Sequence, residues 1–508
     1  MKHHSLLALA VSAALLPAAR ADVTLHKLFS DHIVLQRDAK VPVWGWADAG
    51  EKVTVSIAGQ SKSATAGADG KWSVKLDPLK VGAPQTLTAK GKNTVTVNDV
   101  LIGEVWLCSG QSNMGMTVQG AQNFAQEKES AAHPLLRMFT VRSGSAITPQ
   151  EKCEGAWQVS TPETVGGFSA TAYFFGRELQ EKLKIPVGLI NSSVGGTAIE
   201  AWTSMDAMKP LPELAPMLDM WEKQIAAGQT PEALAKYAEA MAKWKEAAEK
   251  AKAEKQPVPK APGTSGRQPL DNNRPANLFN GKIAPLVGYG IRGAVWYQGE
   301  SNATNGALYA LQLPLLIKDW RTRWGSEFPF AWVQLPDFQA HATAPDGPSG
   351  WAIVRESMTK SLAVPNTGMT INLGIGEAGN IHPKNKQEIG HRLALWARAK
   401  VYGEKIPYSG PLYSGHEIKG SEVIVRFNHT DGGLKQKEGE LNSFVIAGAD
   451  QKWHWAKSRV EGNTVIVSSP EVPAPAAVRY AWASNPDVIL FNGEGLPAGP
   501  FRTDDWKN

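Results

Sequence analysis

The sequence predicts an α/β protein: a flavodoxin-like parallel sheet with helices on both faces, extended by accessory antiparallel β-sandwich regions. Three observations support this fold. Between residues 99 and 405, apolar segments of strand length alternate with helical segments, a pattern typical of a parallel sheet. Several of these apolar segments end in polar, glycine-containing loops. Short alternating segments without helical periodicity occupy both flanks of that region.

Residues 1–21 have the pattern of a cleavable signal peptide. A basic start precedes an apolar run over residues 6–16, and Ala21 ends a small-x-small cleavage motif. The run is too short to span a bilayer, so we expect cleavage near Ala21/Asp22 and a periplasmic or secreted protein; an uncleaved anchor is the alternative. Removal of the two basic residues of this segment lowers the formal net charge from +5 to +3. That bias is too small to indicate nucleic acid or an anionic membrane as a partner.

The N-terminal part, residues 22–98, is expected to form a small antiparallel β-sandwich. Alternating residues mark strands over 41–46, 52–57, 71–76 and 85–89, and turn sequences such as Asp69-Gly70 separate them. We interpret this domain as a structural accessory, with carbohydrate binding as the alternative. A second β-rich region is predicted over residues 406–508. The sequence leaves open whether it forms its own domain or completes the first one.

The catalytic α/β domain is predicted over residues 99–405. Its clearest helices are expected over 170–184, 308–320 and 386–400. A helical insertion over residues 206–265 interrupts the domain, and its main helix begins with Thr230 as the cap and Pro231 in the first turn. A single apolar face predicts that this helix lies on the domain surface. A lid over a functional site is the alternative.

The most informative segment is residues 101–116, where a buried strand over 104–108 runs into a turn that holds Ser112. In an open parallel sheet, reactive side chains lie at the carboxyl ends of such strands. Serines are also common in turns, so this segment alone leaves a structural role for Ser112 equally open.

Three further segments repeat the pattern of an apolar strand followed by a polar loop. The strand over 185–192 precedes Gly195-Gly196 and a helical segment over 198–208, Gly293–Tyr297 precedes Gln298-Gly299-Glu300-Ser301-Asn302, and 369–373 leads to Glu377, Asn380 and His382. A serine, backbone donors, side-chain amides and a histidine at strand ends are the groups needed for acyl transfer to water. The four segments together predict a hydrolytic site at one edge of the sheet.

Four motifs also resemble those of a known family: GQSNM, GGTAIEAW, APLVGYGIRGAVWYQGESN and IHPKNKQEIGHRLALWA. In this order they resemble the signatures of bacterial sialate O-acetylesterase-like proteins of the SGNH hydrolase superfamily, which includes carbohydrate acetylesterases that act on plant polysaccharides. The resemblance covers most of residues 22–508. It implies the flavodoxin-like domain and removal of O-acetyl groups from an acetylated oligosaccharide or polysaccharide, either sialic acid or a hemicellulose such as xyloglucan or xylan.

A serine hydroxyl needs a base within hydrogen-bond reach, and His382 is the predicted base for the nucleophile Ser112. His382 follows a strand end in a short loop, whereas His391 lies inside a predicted helix. The family often has Asp directly before the Ile-His-Pro step, where this chain has Asn380. We therefore expect Glu377 to orient the imidazole, with Asn380 in that role or a Ser–His dyad as the alternatives.

The oxyanion of the tetrahedral intermediate needs hydrogen-bond donors. We expect the backbone N–H groups of Ser112 and Gly196, joined by the side-chain amide of Gln298 or, as second choice, of Asn302. Glu300 is expected to brace that loop by hydrogen bonding. The sequence has no Gly-x-Ser-x-Gly motif around Ser112, which argues against an α/β-hydrolase elbow.

Two other classes of function fit parts of the pattern. A carbohydrate-binding protein on a disabled esterase scaffold would explain Asn380, with Trp202, Trp296 or Trp351 stacking on sugar rings. An SGNH lipase or thioesterase would need a broad apolar groove, which the sequence does not indicate. The presence of both Ser112 and His382 favours the esterase.

Neither a metal nor a cofactor is expected. The only cysteines are Cys108 and Cys153, too few for a cysteine metal site, and His382 with His391 lacks a convincing third ligand. Export permits a disulfide between the two cysteines. A buried free thiol at Cys108 is the equally favoured alternative.

Overall fold

The computed structural model describes residues 22–262, 268–345, 350–437 and 443–506. It has a central, mostly parallel sheet with helices on both faces, together with several antiparallel sheets, which confirms the predicted α/β class. The predicted signal peptide, residues 1–21, lies outside the described residues, as do residues 263–265 of the predicted insertion. No helix in the described part of the chain has the length and apolar character needed to cross a membrane.

The N-terminal region consists of two small sheets, one of which shares a long strand with the central sheet. Its strands are β1 (Thr24–Leu25), β2 (Val34–Gln36), β3 (Val41–Trp46), β4 (Lys52–Ile57), β5 (Gln60–Thr65), β6 (Lys71–Leu76), β7 (Gln85–Lys90) and β8 (Thr94–Gly110). One antiparallel sheet has the order β1-β3-β6, and the other has the order β5-β4-β7-β8. Strand β8 then continues into the central sheet, so the predicted boundary at residue 98 falls within one continuous strand.

The central region supplies the remaining strands of the large sheet and the helices that cover it. Its elements are α1 (Ser112–Gly115), α2 (Phe124–Glu129), β9 (His133–Thr140), β10 (Trp157–Ser160), α3 (Ala170–Leu183), β11 (Val187–Ser193), α4 (Met205–Met208), α5 (Ala215–Gly228), α6 (Pro231–Ala253), β12 (Gly293–Tyr297), α7 (Tyr309–Trp324), β13 (Phe330–Val333), α8 (Gly350–Lys360), β14 (Thr367–Thr370) and α9 (Lys386–Lys400). The strand order is β10-β9-β11-β8-β12-β13-β14, and β10 is antiparallel to its neighbour.

The order of the central sheet fixes where a ligand can bind. From β8 the chain builds β9 and β11 on one side, and later β12, β13 and β14 on the other. Strand β8 is therefore the point at which the strand order changes direction, and open α/β sheets bind ligands at the carboxyl end of such a strand. Ser112 follows β8 directly.

Both faces of the central sheet are buried, as expected for parallel strands covered by helices. On one face Trp106 and Val295 pack with apolar residues of α3 and α9. On the other face Leu107 and Trp296 pack with apolar residues of α7 and α8. Trp202, Trp296 and Trp351 are all at most 5% exposed, so they are core residues and not the sugar-stacking surface considered from the sequence.

The segment directly before the helical insertion differs from the prediction. Residues 198–208 do not form a single helix but a 3-10 turn, Ile199–Trp202, followed by α4. The break arises because Thr203 is extended and the Ser204 hydroxyl caps α4 by accepting from the Ala207 N–H. The start of α6 is as predicted, since the Thr230 hydroxyl accepts from the backbone of the first turn and Pro231 follows.

The C-terminal region forms three small sheets. Its strands are β15 (Leu412–Lys419), β16 (Glu422–Asn428), β17 (Leu434–Gln436), β18 (Phe444–Ala447), β19 (Trp453–Trp455), β20 (Lys457–Glu461), β21 (Thr464–Ser468), β22 (Ala477–Tyr480), β23 (Leu490–Asn492) and β24 (Phe501–Arg502). Among the described residues these strands pair with one another and not with the N-terminal sheets. The region contacts the catalytic domain, where Arg355 of α8 donates to the Ala483 and Ser484 carbonyls.

The two cysteines are not bonded to each other. Cys108 and Cys153 are both free and buried, and burial raises the pKa of each thiol far above its usual value. An unreactive packing role therefore fits both residues.

Candidate active site

The backbone at the end of β8 fixes the position of Ser112. The last residue of the strand, Gly110, has a φ of +141° and lies so close to the Tyr297 carbonyl of β12 that a side chain there would clash. Gln111 then precedes the first turn of α1, which begins at Ser112. The serine hydroxyl is thus held half-buried in the crevice between the two halves of the sheet.

His382 lies beside Ser112, although 270 residues separate them in the chain. The distance between His382 Nε2 and Ser112 Oγ is 2.8 Å, which is the contact that a general base needs. Burial, aided by the positive charge of Lys386, lowers the pKa of His382 below its usual value of 6.5. The imidazole is therefore neutral at pH 7 and can accept the serine proton.

Glu377 does not contact the His382 ring, contrary to the direct orientation that we predicted. Its carboxylate accepts from the Asn380 side-chain amide at 3.0 Å and from the Lys384 N–H at 2.7 Å. Because both carboxylate oxygens bind groups of its own loop, Glu377 fixes that loop. It is linked to His382 only through Asn380. Among the described residues, no hydrogen bond reaches Nδ1 of His382.

Asn380 also contacts His382 in a way that the sequence did not suggest. Its side chain accepts from the His382 N–H at 3.0 Å and donates to the His382 carbonyl at 2.8 Å. Asn380 therefore clamps the backbone of the base and does not select the tautomer of its ring.

The loop after β11 brings Gly195 against Ser112, with Gly196 next to it in the chain. A side chain at Gly195 would place its Cβ 3.3 Å from the Cβ of Ser112, so this backbone lies directly against the serine. Gly196 is in the left-handed region with a φ of +70°. Ser112 opens α1, so its own N–H has no partner within the helix and can face an oxyanion together with this loop.

The two predicted side-chain donors brace this loop and do not reach the site. Gln298 is fully buried, and its Nε2 donates to the Thr197 carbonyl at 3.0 Å and to Asn302 Oδ1 at 2.7 Å. Asn302 in turn accepts from the Ile199 N–H and donates to Glu200. Their hydrogen-bonding groups are engaged behind the loop, which corrects the expectation that either amide contacts the oxyanion directly.

Comparisons with known proteins identify the class of enzyme. A family model described as a carbohydrate esterase, sialic acid-specific acetylesterase, matches residues 102–253. Sialate O-acetylesterases of Mus musculus and Homo sapiens are 30% and 31% identical to this chain. Both matches cover 93% of this chain, and they cover 92% of the mouse protein and 91% of the human protein. The chain belongs to the sialate O-acetylesterase family. The prediction of a carbohydrate O-acetylesterase is thereby confirmed at the level of the enzyme class.

A solved structure extends the comparison to the whole fold. The crystal structure of a carbohydrate acetylesterase from Xanthomonas citri is 35% identical, with a TM-score of 0.81. The match covers 96% of this chain and 100% of that one. The similarity to this acetylesterase therefore includes the N-terminal and C-terminal β-regions as well as the central sheet.

Three residues around the candidate site escaped the sequence analysis. Asn273 accepts from the Ala198 N–H at 2.8 Å and donates to the Gly196 carbonyl at 3.0 Å, so it fixes the glycine loop. Asn113 and Lys386 are fully buried behind the Ser112–His382 pair. The only sequence signal for Asn113 and Lys386 was their position, one residue after Ser112 and four residues after His382 respectively.

Proposed function

We propose that this chain removes O-acetyl groups from sugars through an acetyl-enzyme formed on Ser112, with His382 as the general base and then the general acid. The single observation that carries the proposal is the 2.8 Å contact between His382 Nε2 and Ser112 Oγ. The lowered pKa of His382 supports it, because only the neutral imidazole accepts a proton.

The first half-reaction transfers the acetyl group to the enzyme. Ser112 Oγ attacks the acetyl carbonyl carbon while Nε2 of His382 takes the hydroxyl proton. The negative charge that develops on the carbonyl oxygen faces the Ser112 N–H and the Gly195-Gly196 backbone. The ester bond to the sugar oxygen then breaks, and His382 gives its proton to that oxygen.

The second half-reaction returns the enzyme to its starting state. Water attacks the acetyl carbon as His382 accepts one of its protons, and the bond to Ser112 Oγ breaks as the proton passes to that oxygen. Acetate leaves. Because no carboxylate among the described residues bonds to Nδ1 of His382, the imidazolium forms in both steps without a charged partner, as a Ser–His dyad and not as a charged triad.

The sugar is either an acetylated sialic acid or an acetylated hemicellulose such as xyloglucan or xylan. The names of the mammalian relatives favour the first, and the resemblance to esterases of plant polysaccharides favours the second. We also propose that the protein is exported to the periplasm or beyond the cell, on the basis of the signal-peptide pattern over residues 1–21.

The test is acetate release from a panel that contains O-acetylated sialic acid, acetylated xylan and acetylated xyloglucan. We expect turnover of at least one member by the mature chain and none by Ser112→Ala. Binding of a sugar without release of acetate from any acetylated glycan would favour the carbohydrate-binding alternative. The location is tested separately, by fractionation of cells that express the full-length chain.

A further inference from the structure

Asn113 connects the two halves of the catalytic pair from behind. It follows the nucleophile Ser112 in the chain, and its side-chain Nδ2 donates to the carbonyl of Ile381 at 2.9 Å. Ile381 is the residue directly before His382. One buried amide thus joins the segment that carries the nucleophile to the segment that carries the base.

We propose that Asn113 is the positioning residue that holds Ser112 and His382 at reacting distance, and that Lys386 and Glu300 fix the orientation of its amide. The proposal rests on the Ser112–His382 mechanism above. In this proposal the Asn113 amide, bonded to the Ile381 carbonyl, aligns His382 with Ser112. A carboxylate bound to the imidazole would otherwise provide that alignment.

The two ends of the Asn113 amide have partners that permit only one orientation. Its Oδ1 accepts from Lys386 Nζ at 2.5 Å, and its Nδ2 donates to Glu300 Oε1 at 2.6 Å. A lysine ammonium can only donate and an ionised carboxylate can only accept. A flipped amide would break both contacts, so the Nδ2 group stays directed at the Ile381 carbonyl.

The partners of Asn113 are themselves held in place. Lys386 is completely buried and Glu300 is 8% exposed. The ammonium of Lys386 also lies 5.1 Å from the centre of the Tyr297 ring, at the end of β12. Buried ions are costly unless they are paired and hydrogen-bonded, and the Asn113 amide supplies a hydrogen-bond partner to both side chains.

The same cluster acts on the base electrostatically. Burial lowers the pKa of Lys386 and raises that of Glu300, while the attraction between them opposes both shifts. The charge of Lys386 lowers the pKa of His382. The carboxylate of Glu377 also acts on this cluster, because its charge opposes the lowering of the Lys386 pKa, and it accepts a hydrogen bond from the Lys384 N–H.

The first test is Asn113→Ala, measured on a simple acetyl ester so that sugar specificity plays no part. We expect kcat to fall about 100-fold, the effect of a misplacement of about 1 Å in a reacting pair, while KM changes less than about threefold. The matched control is Asn492→Ala, a fully buried asparagine of β23 that donates to the Ser409 carbonyl. The control is expected to lower the melting temperature and to leave kcat within about twofold of wild type.

A second variant separates the hydrogen bond to Ile381 from the general packing of Asn113. Asn113→Asp keeps the volume and can still accept from Lys386 Nζ, but its carboxylate cannot donate to the Ile381 carbonyl or to Glu300. Its kcat should therefore fall at least as far as that of Asn113→Ala. If Asn113→Asp matches wild type, the proposal is wrong.

The pH profile supplies a readout that a purely structural role would not move. Lys386→Met removes the charge that lowers the pKa of His382, so the acid limb of kcat/KM should move to higher pH. The control is Lys282→Met, a buried lysine that donates to the Val141 and Ser143 carbonyls and should leave the limb in place. An unmoved limb in Lys386→Met overturns the role given to Lys386. Loss of all activity in Ser112→Ala, with full activity in Asn113→Ala, would keep the mechanism and reject the positioning role.

Discussion

Replacement of Asn380 by alanine tests how this enzyme holds its base. The Asn380 side chain makes three hydrogen bonds, two to the backbone of His382 and one to the carboxylate of Glu377. The alanine variant loses all three, and the loop that carries His382 then gains freedom relative to Ser112. The imidazole remains present, but it spends a smaller fraction of the time within hydrogen-bond distance of the Ser112 hydroxyl.

The size of the effect follows from the two bonds that reach His382. Each is worth roughly 0.5–1.5 kcal/mol net, so their loss shifts the loop equilibrium by about 1–3 kcal/mol. With about 1.4 kcal/mol for each factor of ten, kcat should fall by about 5- to 150-fold. Glu377→Gln keeps one acceptor oxygen and loses one hydrogen bond of the loop, so its effect should remain below about tenfold.

The assay is steady-state hydrolysis of a simple acetyl ester by the two variants, with circular dichroism and melting temperature as checks of folding. We expect Asn380→Ala to be the slower enzyme. The opposite ranking, with Glu377→Gln reduced by a factor of about a thousand or more and Asn380→Ala near wild type, would refute the reasoning. It would mean that the carboxylate orients and charges the imidazole during turnover, as in a triad.

Three further predictions follow from the same structure. Gly195→Ala places a Cβ 3.3 Å from the Cβ of Ser112, so kcat should fall about tenfold or more with little change in melting temperature; an unchanged kcat would show that the loop can move aside. The acid limb of kcat/KM should lie below pH 6.5, because the pKa of His382 is lowered and only neutral imidazole is active; a limb above that pH contradicts the shift. Unfolding without reductant should expose two reactive thiols, Cys108 and Cys153; a titration that finds none would indicate a disulfide.

Those elements whose pattern is local could be predicted well. The structure places β12 over Gly293–Tyr297 and α9 over Lys386–Lys400, the same bounds that we predicted. The first is an uninterrupted apolar run, and the second begins after Asn385, whose side chain caps it. Strand β5, Gln60–Thr65, was missed because none of its residues is buried, so it lacks the apolar alternation of a strand with a core face.

The contact between Ser112 and His382 was also within reach of the sequence, because each residue follows a strand that ends at the same edge of the sheet. The residues that support this pair could not be predicted in the same way. The amide of Gln298, predicted as an oxyanion donor, is instead hydrogen-bonded to the loop behind the site. Lys386 has the sequence pattern of a solvated residue in the first turn of a helix, but it is buried and its ammonium donates to Asn113, 273 positions away. Such long-range contacts leave no periodic signal in a single sequence.

The most direct test of the central claim is to trap the acetyl-enzyme. Wild-type protein mixed with excess acetyl ester and quenched in acid during turnover should gain the mass of one acetyl group, and peptide mapping should place that group on Ser112. Ser112→Ala should gain none under the same conditions. Acetylation of another residue at the rate of turnover, or turnover by Ser112→Ala at a tenth or more of the wild-type rate, would contradict the assignment of Ser112 as the nucleophile.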